Sequence, residues 1–211
     1  AFFNGNRRYG AGDNLICILA LANSVEFCLR ARLLAKNYDP DDFSKLNQSL
    51  MINLGEKARR YFVKKKHFQV SNLSQNETKS YNATVIPGFS YKPGFMDLLE
   101  ILELIDDEFF EDVAGVINAP ENPAFLSVMQ LNTLRNKIVH KMGTVHEEDL
   151  PKAIKLAEYV IEKFLNRLVI DYPEVFPQLR QEGSENLISQ ASELETFIRL
   201  DLRDITVGIF G

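Results

Sequence analysis

Long apolar runs and cysteines are both scarce in this sequence, and each shortage excludes a class of protein. The longest uninterrupted apolar run, Leu15 to Ala22, lies between Asp13-Asn14 and Asn23 and falls far short of the roughly 20 residues that cross a bilayer. No membrane contact is expected. The two cysteines, Cys17 and Cys28, stand on one predicted helix, where they share a face about 16 Å apart along the axis and cannot pair with each other. Two cysteines are too few for a disulfide framework or a zinc cluster, which points to a reducing cytoplasm. The opening Ala-Phe-Phe-Asn-Gly-Asn-Arg-Arg has no initiator methionine and lacks the charged-then-apolar order of a signal peptide. It reads as the downstream part of a longer protein. Internal repeats and low-complexity tracts are absent as well.

What remains is an ordinary globular composition, and 211 residues with 45% hydrophobic content suffice for one well-packed core. Asn-x-Ser/Thr triplets begin at Asn47, Asn72, Asn76 and Asn82; such short patterns arise by chance in a polar chain, and the cytoplasmic reading leaves them without a role. The net charge of -5 argues against a protein that coats nucleic acid without selectivity. That charge is unevenly spread. Asp97, Glu100, Glu103, Asp106, Asp107, Glu108, Glu111 and Asp112 follow one another with no basic residue between them, whereas Arg59, Arg60, Lys64, Lys65 and Lys66 cluster elsewhere. A polyanion is expected to avoid the first stretch and is able to meet the second, although a solvated helix end explains the basic cluster equally simply.

Helical spacing of Leu15, Ile18, Ala22, Val25, Leu29 and Leu33 predicts a long, largely buried helix from Asp13, its cap, to about Ala35. A weaker pattern predicts a second helix after Asp39-Pro40, with Asp41 and Asp42 in its first turn, running to about Phe62. Residues 64–94 change character and read as a loop or small hairpin insertion. Helices are then expected from Phe95 to about Ile117, with an acidic outer face, and from about Pro123 to Lys141, stopped by Gly143. A last long helix is expected from near Glu147 to Val169, with Leu150, Ile154, Ala157, Ile161, Phe164 and Leu168 as its core stripe; with the helix before it, it forms a helical hairpin. Past Asp171 come a Pro-punctuated short helix, an amphipathic helix near Ser184 to Leu200, and a strand-like segment from Asp204 to Phe210. The expected organisation is an all-α domain over 1–170, with the 64–94 insertion, and a C-terminal helical extension over 171–211 that packs on it or on a domain upstream.

Chemistry concentrates in Leu131-Asn-Thr-Leu-Arg-Asn-Lys-Ile-Val-His-Lys-Met-Gly143. At about 100° per residue, Leu131, Leu134, Ile138 and Met142 form an apolar stripe that belongs to the core. Asn136 and His140, one helical turn apart, fall on nearly the opposite side, and Arg135 projects from the flank with a side chain long enough to reach them. Lys137 and Lys141 add positive charge. This set suits cleavage of a phosphodiester without a metal. Imidazole titrates near neutrality and moves protons, guanidinium binds phosphate in a planar fork, and the 2'-hydroxyl of RNA supplies the nucleophile. The expected products are a 2',3'-cyclic phosphate and a 5'-hydroxyl. A histidine and an arginine near a helix C-terminus also have a plainer use, complementing the helix dipole at the surface.

The string Arg135-Asn136-x-x-x-His140 resembles the Arg-Asn-x-x-x-His signature of the HEPN superfamily of helical ribonucleases and toxins. Its surroundings, Leu-Asn-x-Leu-Arg-Asn-x-Ile-Val-His, look like the version in CRISPR-associated ancillary ribonucleases, where a HEPN domain follows a CARF domain that senses cyclic oligoadenylate. The similarity is sharp over about Val128 to Val169 and fainter at Tyr9-x-Ala11. The resemblance implies a HEPN-type helical bundle in which Arg135 and His140 are the catalytic pair and Asn136 positions them or the phosphate, with Lys137 and Lys141 binding RNA. It also implies single-stranded RNA as substrate, no metal or other cofactor, a homodimer whose two motif helices face each other across a twofold axis, and control by cyclic oligoadenylate through an upstream domain. Met142 departs from the Tyr of HEPN toxins that are modified by a nucleotidyltransferase, which disfavours that subclass. Glu26, on the first helix, is read as a surface carboxylate in preference to a supporting residue of the site. Beside the nuclease stand a non-catalytic HEPN module for dimerisation or RNA binding and a helical adaptor in which Arg135 and His140 make only interface contacts.

Overall fold

The structure, a computed structural model, describes residues 14–72, 81–88, 90–118, 124–141, 145–146 and 148–173. The chain divides into two compact units, Ala1–Phe164 and Leu165–Gly211. In the first unit the described residues are mostly helical with one two-stranded sheet, in the order α1 (Asn14–Ala35), α2 (Phe43–Leu54), α3 (Glu56–Val63), β1 (Phe68–Asn72), β2 (Tyr81–Val85), α4 (Phe95–Leu104), α5 (Glu108–Val113), a 3-10 turn (Ala114–Val116), α6 (Val128–Lys141) and α7, which starts at Asp149. The α7 helix continues to Asp171, so its last turns belong to the second unit. The expected cap Asp13, the Tyr9-x-Ala11 lead-in, Gly143, Glu147 and the extension beyond residue 173, with its amphipathic and strand-like segments, lie outside the described residues.

The central element is α1. Ile18, Leu21, Ala22, Val25, Leu29 and Leu33 are buried, and its packing neighbours are α4 and α6. Leu15, counted above in the core stripe, is exposed together with Ile16, Phe27 and Leu34, so the helix is apolar on both its inner and outer sides. By length and composition α1 is able to cross a membrane. The run-length argument missed this because Asn23, Ser24 and Glu26 interrupt the apolar residues without removing the helix's overall apolarity. Its buried side is nonetheless the core of this unit, a role that gives a helix the same composition.

Two long predicted helices are each broken in two. Asp39 and Asp42 act at the start of α2 rather than within it: the Asp39 carboxylate accepts from the amides of Asp41 and Asp42, and Asp42 is the N-cap, accepting from the Lys45 amide at 3.1 Å. The helix then stops at Gly55, whose φ of +48° suits glycine, and α3 begins at once. The helix expected from Phe95 to Ile117 stops at Leu104. Asp106 takes a φ of +52°, and Asp107 starts α5 by accepting from the Phe109 amide at 2.9 Å. The same Asp107 carboxylate receives the Nε of Arg32 at 2.9 Å, and both residues are almost wholly buried. Glu108 lies 3.6 Å from the Arg32 guanidinium, and Lys36 lies 3.9 Å from Asp107.

Within the expected insertion, β1 and β2 form an antiparallel pair with Phe68 opposite Val85 and Asn72 opposite Tyr81. Alternation puts Phe68 and Ala83 on the inner face. Phe68 stacks on Phe43 with ring centres 5.1 Å apart and meets Phe62 and Tyr91 edge-on, while Asn47 on α2 donates to Asn82 Oδ1 and to the Ala83 carbonyl. Asn47 is buried by these bonds, so it is no glycosylation acceptor in the folded protein.

The start of α6 is later than the sequence pattern places it. Ser127 and Gln130 form a capping box, Ser127 Oγ accepting from the Gln130 amide and Gln130 Oε1 from the Ser127 amide. The helical hairpin is also corrected: α6 lies closest to α1, and α7 makes its side-chain contacts elsewhere. Tyr159 donates to the Asp112 carbonyl at 2.9 Å, and Phe164 meets Phe109. The α7 core stripe is Leu150, Ala153, Leu156, Ala157, Val160 and Phe164, so Ile154 and Ile161 sit at its margin, half-buried.

Two outcomes follow from these contacts. Asp107→Ala removes the α5 cap and the partner of a buried guanidinium, and it is expected to cost roughly 3–5 kcal/mol in urea unfolding; a loss under 1 kcal/mol contradicts the account. Both cysteines are free and buried, and burial pushes the Cys28 thiol from its ordinary 9.0 up to about 12. A raised folded value makes the thiol's contribution to stability full below pH 9.0 and lost as pH rises towards 12. The native protein should therefore leave a thiol reagent unconsumed at pH 8, with both cysteines reacting once urea unfolds it.

Candidate functional site

Leu131 anchors α6 in the core, and beyond it the helix rises out of the bundle. Leu134 and Ile138 are half-buried and Val139 is exposed, so the expected core stripe is covered fully only at its beginning; Met142 lies outside the described residues. Asn136, Lys137 and His140 are exposed. Asn136 and His140 share one face of α6, one turn apart, and among the described residues their side chains make no hydrogen bond. They face solvent, ready for a ligand or a second molecule. Lys141 closes the helix, and nothing is described of its side chain.

Arg135 behaves differently from its neighbours. It is half-buried, and its guanidinium Nη2 lies 3.0 Å from Oε2 of Glu26, whose side chain is only 14% exposed. The other oxygen of Glu26 receives the Nε and Nη2 of Arg30 at 3.0 and 2.9 Å. Arg30 in turn donates to Asp41 at 3.0 Å and to the Pro93 carbonyl at 2.8 Å. Glu26 is therefore not the surface carboxylate that the sequence reading preferred. It joins α1 to α6, and its spacing to Arg30, one turn along the helix, was the signal available in the sequence. The three motif residues thus divide into an exposed amide and imidazole and a guanidinium held at the α1–α6 seam.

The charged stretches pair off within the protein. Arg59 and Arg60 both reach Glu56, at 2.7 and 3.6 Å, and the Arg59 guanidinium lies over the Tyr81 ring. Lys65 bonds to Asp97 at 2.8 Å and also to Glu100, with its ammonium 5.2 Å from the Tyr61 ring centre. Burial and the nearby carboxylates push the Tyr61 and Tyr91 phenols upward. Asp106 binds Lys57, and Asp107 binds Arg32. The basic cluster and the acidic stretch are thus largely each other's counterions, which weakens both the expected RNA-guiding patch and the expected acidic face. Lys64 and Lys66 are exposed. Among the described residues, no three of His, Cys, Asp and Glu gather as a group able to hold a metal ion.

A scan against protein-family models and searches among curated proteins and solved structures return no match. The functional reading accordingly stands on the residues of α6 and their surroundings.

Glu56 gives this surface a pH signature. The Arg59 guanidinium bonded to it holds its carboxyl down, from an ordinary 4.5 to about 2. A lowered folded value makes the contribution of the Glu56–Arg59 pair complete above pH 4.5 and lost as pH falls through about 2. Wild type should exceed Glu56→Gln in stability at pH 6, and the two should converge in acid; a difference that persists at pH 2 removes the pair as its cause.

Proposed function

We propose that this chain is a HEPN-type, metal-independent endoribonuclease that cleaves single-stranded RNA through a site shared between two copies. The observation that carries the reading is the exposed Asn136–His140 face beside Arg135 on one helix. A phosphodiester approaching this face meets an amide donor, an imidazole and a guanidinium together. The 2'-hydroxyl attacks the adjacent phosphorus, forming the 2'-O–P bond as the P–O5' bond breaks. One imidazole accepts the 2'-hydroxyl proton, and an imidazolium returns a proton to the departing 5'-oxygen. Arg135 balances the charge that builds on the non-bridging oxygens, and Lys137 and Lys141 draw in the RNA backbone.

Two histidines suit these two proton transfers better than one, which favours a homodimer with the α6 faces opposed. Ile16, Phe27 and Leu34 on α1 and Val139 on α6 leave apolar surface that a second copy would cover. The biological setting proposed is cytoplasmic antiviral defence of the CRISPR type, with cyclic oligoadenylate acting through a sensor domain upstream. A second reading, a non-catalytic HEPN module that dimerises or binds RNA, is favoured by one observation: Arg135 is already occupied by Glu26.

Cleavage of a single-stranded RNA in the presence of a chelator separates the two. The nuclease should release 2',3'-cyclic phosphate and 5'-hydroxyl ends, and His140→Ala and Arg135→Ala should each lower the rate by about 10²-fold or more with little change in thermal unfolding. Cleavage that survives both substitutions removes the site, whereas RNA binding without any cleavage favours the module.

A further inference from the structure

Resting on the ribonuclease reading above, we infer that Glu26 is the positioning residue for Arg135, holding its guanidinium in the orientation that meets the phosphate. An arginine side chain has four rotatable bonds before its planar head, and on an exposed helix face that head samples many positions. Here the sampling is restricted by a carboxylate that is itself fixed. Arg30 clamps Oε1 of Glu26 with two donors and is tied on its far side to Asp41 and to the Pro93 carbonyl, leaving Oε2 directed at Arg135 from 3.0 Å. The guanidinium gives one nitrogen to Glu26 and keeps donors on its remaining nitrogens for an anion.

The arrangement has the form of a second residue orienting a reacting one. Glu26 touches neither the scissile phosphate nor the 2'-hydroxyl, so its effect is on the rate of the bound complex rather than on RNA affinity. The chain from Pro93 and Asp41 through Arg30 and Glu26 also ties the aim of Arg135 to the segments that precede α4 and α2, away from the exposed face of α6.

The test compares wild type with Glu26→Gln and Glu26→Asp, using a single-stranded RNA for single-turnover cleavage in a chelator and its 2'-O-methylated counterpart, which cannot be cleaved, for affinity. Glu26→Gln should lower the cleavage rate by about 10²-fold, as expected for misplacement of a reacting group, with binding of the methylated RNA unchanged, and Glu26→Asp should recover part of the rate. Equal rates in Glu26→Gln and wild type overturn the inference, as does a loss confined to binding. Should Glu26→Gln unfold, Arg30→Gln frees the clamped side of the same carboxylate while leaving Arg135 untouched, and a smaller loss of rate is expected. Wild type that never cuts RNA refutes the ribonuclease reading separately. In that case the side-chain Nε–H signal of Arg135 by NMR still decides the positioning. A distinct, protected signal that collapses to a solvent-averaged one in Glu26→Gln upholds it, and an unchanged signal overturns it.

Discussion

The described bundle depends on the buried pair between Arg32 and Asp107. Arg32 is fully buried in the middle of a helix otherwise made of apolar residues, and Asp107 closes on it from 75 positions away. Removing two charges from water costs several kcal/mol per ion, recovered only if geometry and hydrogen bonding are good. Asp107 meets that condition by serving twice, once as partner of the guanidinium and once as the N-cap of α5. The pair therefore sets where α5 starts and how the α4–α5 junction is held against α1. With that register fixed, Glu26, less than two turns earlier on α1, is presented towards α6. The site on α6 is thus indirectly a product of the core.

The sequence revealed the helices by their periodicity and failed to reveal their interruptions. Period 3.6 was sufficient for α1 and for the length of α7, because both carry an apolar stripe over many turns. It could not show that Asp106 would adopt a left-handed conformation or that Asp107 would be buried, since an aspartate in a run of acidic residues has the pattern of a solvated face. Its partner Arg32 is distant in sequence, and only the tertiary structure brings them together. Gly55 and the Ser127-x-x-Gln130 box were legible in principle, being a stop and a start signal of ordinary kind. The helical wheel placed Asn136 and His140 outward, where the structure has them, but it could not foresee that a carboxylate on another helix would hold Arg135.

Charge followed the same division between local and distant information. Read along the chain, the acidic stretch from Asp97 to Asp112 and the basic cluster from Arg59 to Lys66 look like two opposed faces. In three dimensions Lys65 lies between Asp97 and Glu100, and Lys57 reaches Asp106. Exposed pairs of this kind contribute little to stability individually, yet they cancel the long-range fields that unpaired runs would generate. Any anion drawn to this protein consequently responds to the unpaired positive charge near α6 more than to the residues around α3.

Whether Glu26 disables Arg135 or prepares it turns on relative magnitudes. The Glu26–Arg135 contact is partly open to water, and pairs of that kind are worth on the order of 1 kcal/mol or less. A phosphate accepting charge-assisted hydrogen bonds from the same guanidinium offers about 1.5–3 kcal/mol, and more once an approaching strand excludes water from the seam. The carboxylate is thus too weak a competitor to withhold the arginine from RNA, while its fixed position is enough to narrow where the guanidinium waits. A restraint that is easily outbid at the moment of binding, yet orders the free side chain, lowers the entropy cost of assembling the site. The same contact that seems to occupy Arg135 is on these magnitudes compatible with catalysis, and the argument for a silent module must then rest on chemistry at His140.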